Sequence, residues 1–179
     1  MQTETDLRYP IGKFQRPGSL SEAQRRESVV DVEKLPARIR EAVKGLKAGQ
    51  LDTPYRPGGW TVRQLVHHVA DSHMNAYVRL KLTLTEEEPL IKPYLEAKWA
   101  ELPDSRTEPV EVSLALLDNL HQRWTTTLRA MSPAEFSRQM RHPEWTKPMS
   151  LDDTLALYAW HSKHHVAHIT SLREREGWK

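Results

Sequence analysis

Residues 61–85 read TVRQLVHHVADSHMNAYVRLKLTLT. Val62, Leu65, Val69, Ala76 and Leu80 follow one another at steps of three, four, seven and four, which gathers them on one stripe of an α-helix. Thr61 stands immediately before the first of them and predicts the N-cap. Pro89 sets the downstream limit.

Three further segments share this period. A first helix is expected to open at Ser19, with Glu22 completing a capping box, and to run towards Leu46. Pro36 falls inside it, and the missing N–H predicts a kink or break between Glu33 and Ala37. A third helix spans about Val110 to Met131, followed by a helical turn at SPAEFSR (132–138). The fourth begins at Ser150, whose hydroxyl can cap the N–H near Asp153, and continues to Arg175 before Gly177. Between them lie AGQLDTPYRPGGW (48–60), which cannot be helix interior, and QMRHPEWTKPMS (139–150), which suits a short extended pair. Residues 86–109 hold Pro89, Pro93, Pro103 and Pro109 with Tyr94 and Trp99, an ordered loop with a short helical turn. Loops this long tend to serve function. The expected fold is all-α, a four-helix bundle with a long loop between helices two and three, as a single domain over 1–179.

The 26 basic and 24 acidic residues are mixed along the chain for a net charge of +2. No basic stripe is left for tracking phosphates, so nucleic acid is not an expected partner. Cysteine is absent, which restricts any metal site to nitrogen and oxygen ligands. No apolar run approaches the roughly 18 residues of a membrane span, and the first twenty residues lack a signal-peptide core. The expected setting is cytoplasmic, away from membranes.

HSKHHVAH (161–168) places four histidines in eight positions. Leu151, Leu155, Tyr158, Ile169 and Leu172 define the core side of this helix. His161 and His165 flank it, and His164 points most nearly to solvent. The i, i+4 pair sets two imidazoles over one another, the spacing used by helical zinc motifs. Two rings alone suit a polar helix edge equally well. In the second helix His73 points inward, His68 lies at the boundary and His67 points outward, so periodicity leaves His68 and His73 open as a third ligand. His121 and His142 read as ordinary surface or core residues.

LDTPYRPGGWTVRQLVHHVADSHMN (51–75), SLALLDNLHQRW (113–124) and the histidine helix together resemble the DinB/YfiT superfamily, in particular its YfiT-like metal-dependent hydrolases. The similarity runs from Tyr9 to Trp178. The resemblance implies a four-helix bundle of unusual topology, commonly a homodimer, with three histidines holding one zinc or nickel ion per chain. Carried onto this sequence, the ligands are His68, His161 and His165, a choice of His68 over His73 that the resemblance alone supplies. Lys163, where close relatives can carry another histidine, lies outside this set.

Three neutral imidazoles leave a position for water or substrate, and an ion there acidifies bound water into a nucleophile. Hydrolysis of a small molecule is therefore the first expectation. Transfer of a low-molecular-weight thiol of the bacillithiol type is the second, because a thiol is activated in the same way. A metal binder without turnover is the third. Asp71, Ser72 and Asn75 are candidates to orient a ligand ring; Trp60, Trp124, Tyr158 and Trp160 are candidates to wall the pocket.

Overall fold

The computed structural model describes residues 6–179. The elements in chain order are α1 (Glu22–Val43), α2 (Ala48–Leu51), α3 (Val62–Thr85), α4 (Glu96–Trp99), α5 (Pro103–Thr107), α6 (Val110–Ala130), α7 (Pro133–Phe136), β1 (Gln139–Met140), β2 (Met149–Ser150) and α8 (Leu151–Glu176). Helices α1, α3, α6 and α8 form the bundle. Two of its caps fall where the sequence puts them. Thr61 Oγ1 accepts from Gln64 N–H, and Gln64 returns the bond; Ser150 Oγ accepts from Asp153 N–H at 3.0 Å.

The start of α1 differs. Its capping box is Ser21 with Gln24, not Ser19 with Glu22. The N–H groups of Gly18 and Leu20 donate to Asp153 and Asp152 at 2.8 and 3.1 Å, which ties residues 18–20 to the start of α8 and delays the helix. Its end also comes early, at Val43 and not Leu46, because Lys44 leaves helical backbone and Gly45 takes φ 77°. Pro36 neither breaks nor divides α1. The Val32 carbonyl that loses its helical partner to Pro36 lies 2.7 Å from His121 Nδ1.

Packing follows a ring: α1 against α6 and α8, and α3 against α6 and α8. Consecutive long helices α1 and α3 thus face each other across a diagonal, as do α6 and α8. An up-and-down bundle would make every pair of consecutive helices neighbours; here only α3 and α6 are, and the α1–α3 and α6–α8 connections must cross an end of the bundle. The 86–109 connection, between the neighbours α3 and α6, holds two short helices, α4 and α5, where the sequence suggests one turn. It is pinned to the 139–150 connector by Ile91 N–H on the Arg141 carbonyl and Arg141 N–H on the Pro89 carbonyl, both 2.9 Å. The expected extended pair is present, with Gln139 opposite Ser150 and Met140 opposite Met149.

The interior is in two apolar parts. One gathers Leu35, Ile39, Leu65, Val69, Leu117 and Ile169; the other gathers Val32, Ala76, Leu80, Trp124, Leu155 and Tyr158. Along each helix the chain passes from one part to the other at a common level: between Val32 and Leu35, Val69 and Ala76, Leu117 and Trp124, and Tyr158 and Ile169. His73, His121, His161 and His165 lie in those intervals, so the bundle carries a layer of imidazoles between two hydrophobic blocks. Among the described residues no helix is long and apolar enough to cross a membrane.

Candidate metal centre

Helix α3 delivers His68 and α8 delivers His161 and His165, one turn apart. The His68 ring centroid lies 5.6 Å from that of His161 and 5.0 Å from that of His165. One ring nitrogen from each of the three lies within 4.8 Å of the others. The Nε2 atoms of His161 and His165 are 3.0 Å apart. Ligands about 2.1 Å from an ion and about 90–110° apart stand about 3.0–3.4 Å from each other, so the His161 and His165 nitrogens are spaced to share one ion, with a His68 nitrogen within 4.8 Å of both. Burial pushes the His68 imidazole down to about 4, and it holds His161 and His165 well below the ordinary histidine range. All three are neutral at physiological pH and offer lone pairs, the state that metal binding requires.

These rings floor a cavity of about 420 Å³ between the bundle and the two connectors. Trp60 covers His68 with ring centroids 4.5 Å apart, and Trp60, Ser72, Tyr158 and Trp160 all line the space. Tyr158 Oη donates to the Ser72 carbonyl at 3.3 Å. His164, His165 and His168 also bring ring nitrogens within 4.8 Å, but His168 lies outside the cavity and its Nε2 faces the Arg8 carbonyl at 3.3 Å. Of these two groups among the described residues, only the first has all three rings on the cavity.

The other named residues are placed as follows. His73 is fully buried and has both ring nitrogens engaged: Nδ1 is 3.0 Å from His121 Nε2, and Nε2 is 3.0 Å from His161 Nδ1. Asp71 and Asn75 do not line the cavity; the Asn75 amide donates to the Asp71 carbonyl at 2.9 Å, within α3. Partial burial, with Asp104 nearby, pushes the Asp71 carboxyl up to about 6. Trp124 packs beneath His73 and His121 in the core and not on the cavity wall.

Two histidines expected to face solvent are buried. His67 does point away from the core, but the chain before α6 and the first turn of α6 cover it. Its Nδ1 meets Ser113 Oγ at 2.7 Å and its Nε2 faces the Glu108 carbonyl at 3.1 Å. His164 stacks on Trp160 at 4.3 Å, with Tyr9 on its other flank at 6.1 Å. Residues 8–16 lie along α8 and close that face, held by Trp160 Nε1–H on the Gly12 carbonyl and by Arg16 on Asp153.

The cavity is also lined by Arg79, Tyr94, His142 and Trp145, none of them expected there; His142, read from the sequence as an ordinary surface or core residue, is on the cavity wall. Arg79 Nε and Tyr94 Oη are buried without a hydrogen-bond partner among the described residues. His142 stacks on Trp145 at 4.2 Å. Tyr94 and Trp145 come from the two Pro-rich connectors, and aromatic residues in long ordered loops were the available signal. Arg79 sits on an ordinary helix turn with no local mark.

This architecture and trio define a class before any individual comparison. The sequence profile of the DinB superfamily matches residues 31–169, and the chain belongs to that superfamily. Among individual proteins, it is 51% identical to YfiT of Bacillus subtilis (strain 168) over 176 residues, 98% of this chain and 99% of that one. It is 54% identical to a relative from Bacillus mycoides (strain KBAB4) over 173 residues, 97% and 99% of the two chains. Both relatives are provisionally named metal-dependent hydrolases. The solved structure of YfiT, described as having an unusual four-helix bundle topology, superposes with a TM-score of 0.95 over 97% of this chain and 99% of that one. The fold is that bundle.

Proposed function

We propose that the protein is a metal-dependent hydrolase of a small-molecule substrate, with one divalent ion held by His68, His161 and His165. The observation that carries this reading is the meeting of three neutral imidazoles at the floor of a cavity of about 420 Å³, a volume suited to a small molecule. A divalent ion at such a site supplies Lewis acidity, polarising a substrate carbonyl and acidifying water. With only neutral ligands around it, the chain leaves the ion's charge undiminished. Trp60 and Trp160 wall the cavity and restrict water on that side. Arg79, with its Nε unpartnered, is positioned to receive an acceptor group of the substrate.

Zinc or nickel as the ion and a homodimer as the assembly rest on the family resemblance, while one domain over 1–179 follows from chain length and the cytoplasm as the setting from a sequence without a membrane-length apolar run. The mixed surface charge supports the absence of a nucleic-acid partner.

The test begins with protein purified without a nickel column, with bound metal measured per chain by elemental mass spectrometry beside His68→Ala and His165→Ala. About one ion per wild-type chain, lost in both variants, is expected. The loaded protein is then assayed on ester and amide panels with and without a low-molecular-weight thiol. Turnover by water supports hydrolysis, and turnover only with the thiol replaces it by thiol transfer. Stoichiometric metal with no turnover on either panel leaves a metal-binding protein, and failure to take up zinc or nickel overturns the proposal.

A further inference from the structure

Pro36 lies buried inside α1 and has no N–H to give the Val32 carbonyl, four residues earlier. His121 Nδ1 approaches that carbonyl at 2.7 Å. A carbonyl can only accept, so this nitrogen carries the proton. The neutral His121 ring then has its lone pair on Nε2, which faces His73 Nδ1 at 3.0 Å. His73 must donate from Nδ1 and accept at Nε2, and Nε2 faces His161 Nδ1 at 3.0 Å. His161 in turn holds its proton on Nδ1. Its remaining lone pair is on Nε2, the atom 3.0 Å from His165 Nε2 in the candidate centre.

We propose that Pro36, His121 and His73 form a positioning relay in which the carbonyl released by Pro36 fixes the tautomer of each ring in turn and presents His161 Nε2 to the metal. The inference rests on the ligand assignment made under the proposed function. Metal-binding histidines are usually held through their second nitrogen by a carboxylate, a carbonyl or water; here the carbonyl is reached through two intervening imidazoles. The relay does not conduct protons. Its far end is an amide carbonyl, and His73 and His121 are 0% and 2% exposed, so no protonatable group or solvent lies beyond it. Its role is to hold one polarity.

The same chain accounts for an in-helix proline in an unbroken helix. The donor missing from the backbone of α1 is replaced by a side chain of α6, and that side chain is in turn oriented for α3 and α8. Three helices of the bundle are thereby referenced to the fourth through one row of hydrogen bonds.

The primary test is nitrogen-15 NMR of histidine-labelled full-length protein above pH 7, as purified and again after zinc is added. The relay requires the proton on Nδ1 of His121, His73 and His161, with zinc joining His161 through Nε2. A proton on Nε2 of His121 or His73, or zinc on His161 Nδ1, overturns it. Because the first spectrum needs no metal, wild-type protein that refuses zinc yet shows these tautomers would sink the functional reading and not the relay. Zinc affinity, measured by chelator competition, supplies the second readout. His73→Leu should weaken binding about 10- to 100-fold, and His73→Gln, which keeps an acceptor towards His161, should recover most of the loss. Equal affinities for the two variants would reduce His73 to a packing residue and refute its role. Pro36→Ala offers Val32 a backbone N–H in competition with His121. It should weaken zinc binding while leaving helix content intact, and unchanged affinity would remove Pro36 from the relay.

Discussion

Acid should destabilise the metal-free protein while most of its exposed carboxylates are still ionised. His68 and His121 are 5% and 2% exposed, and burial lowers each from the ordinary 6.5 to about 4. Because the folded values lie below the unfolded ones, the folded state binds fewer protons. Stability is therefore complete above 6.5 and is lost as pH falls from 6.5 towards 4, where the loss levels off. One unit below 6.5, each ring costs about 1.4 kcal/mol, or about 3 kcal/mol for the pair. Asp71 works in the opposite direction. Its folded value of about 6 is above the ordinary 3.8, so it gains stability as acid protonates it and returns somewhat under 1 kcal/mol at pH 5.5. His73, His161 and His165 are also held well below the ordinary value and add to the loss. The net should be at least about 2 kcal/mol out of a typical 5–15. Urea denaturation of chelator-treated protein, followed by tryptophan fluorescence at pH 7.5 and about pH 5.5, reads it directly. The midpoint should fall with little change in slope. Equal unfolding free energies at the two pH values would refute the account of a neutral, buried imidazole layer.

Other parts of the fold give independent expectations. Asp152→Ala removes a 3%-exposed carboxylate that receives Arg25 Nε and Nη2, both at 2.7 Å; it should cost about 3 kcal/mol in urea denaturation, and a loss below 1 kcal/mol would mean that the pair is dispensable. Ser150→Ala deletes the cap of α8 and should cost about 1 kcal/mol, seen as a fall in Tm of about 2–4 °C. Leu117→Ala opens a cavity at a 0%-exposed site in the first apolar block and should cost about 2–5 kcal/mol without altering metal content, so loss of metal in that variant would show the blocks and the imidazole layer to be coupled.

Features that depend on a few adjacent residues were legible in the sequence. The caps at Thr61 and Ser150 and the apolar stripes of α3 and α8 need only local bonding and a fixed turn angle, and they stand in the structure as read. Ser19 misled because its pattern with Glu22 is a sound capping box in isolation. Two aspartates more than 130 positions away, Asp152 and Asp153, engage the neighbouring backbone first. His67 and His164 misled for a related reason. A helical wheel gives an angle from the apolar stripe and says nothing of what returns to cover the polar side, which here is the chain around α5 and α6 for one and residues 8–16 for the other.

Pro36 and the choice between His68 and His73 expose a deeper limit. The rule that proline breaks a helix counts only backbone donors, and α1 stays whole with a donor brought from α6, 89 residues along the chain. Periodicity left His68 and His73 open because both angles reach the interior. The proposed choice of His68 rests on how their nitrogens are used: His73 gives both to other imidazoles, whereas His68 stands on the cavity under Trp60. Periodicity can bring a histidine to the centre of a bundle. Whether it binds there, or orients the ring that binds, is decided by hydrogen-bond partners on the neighbouring helices.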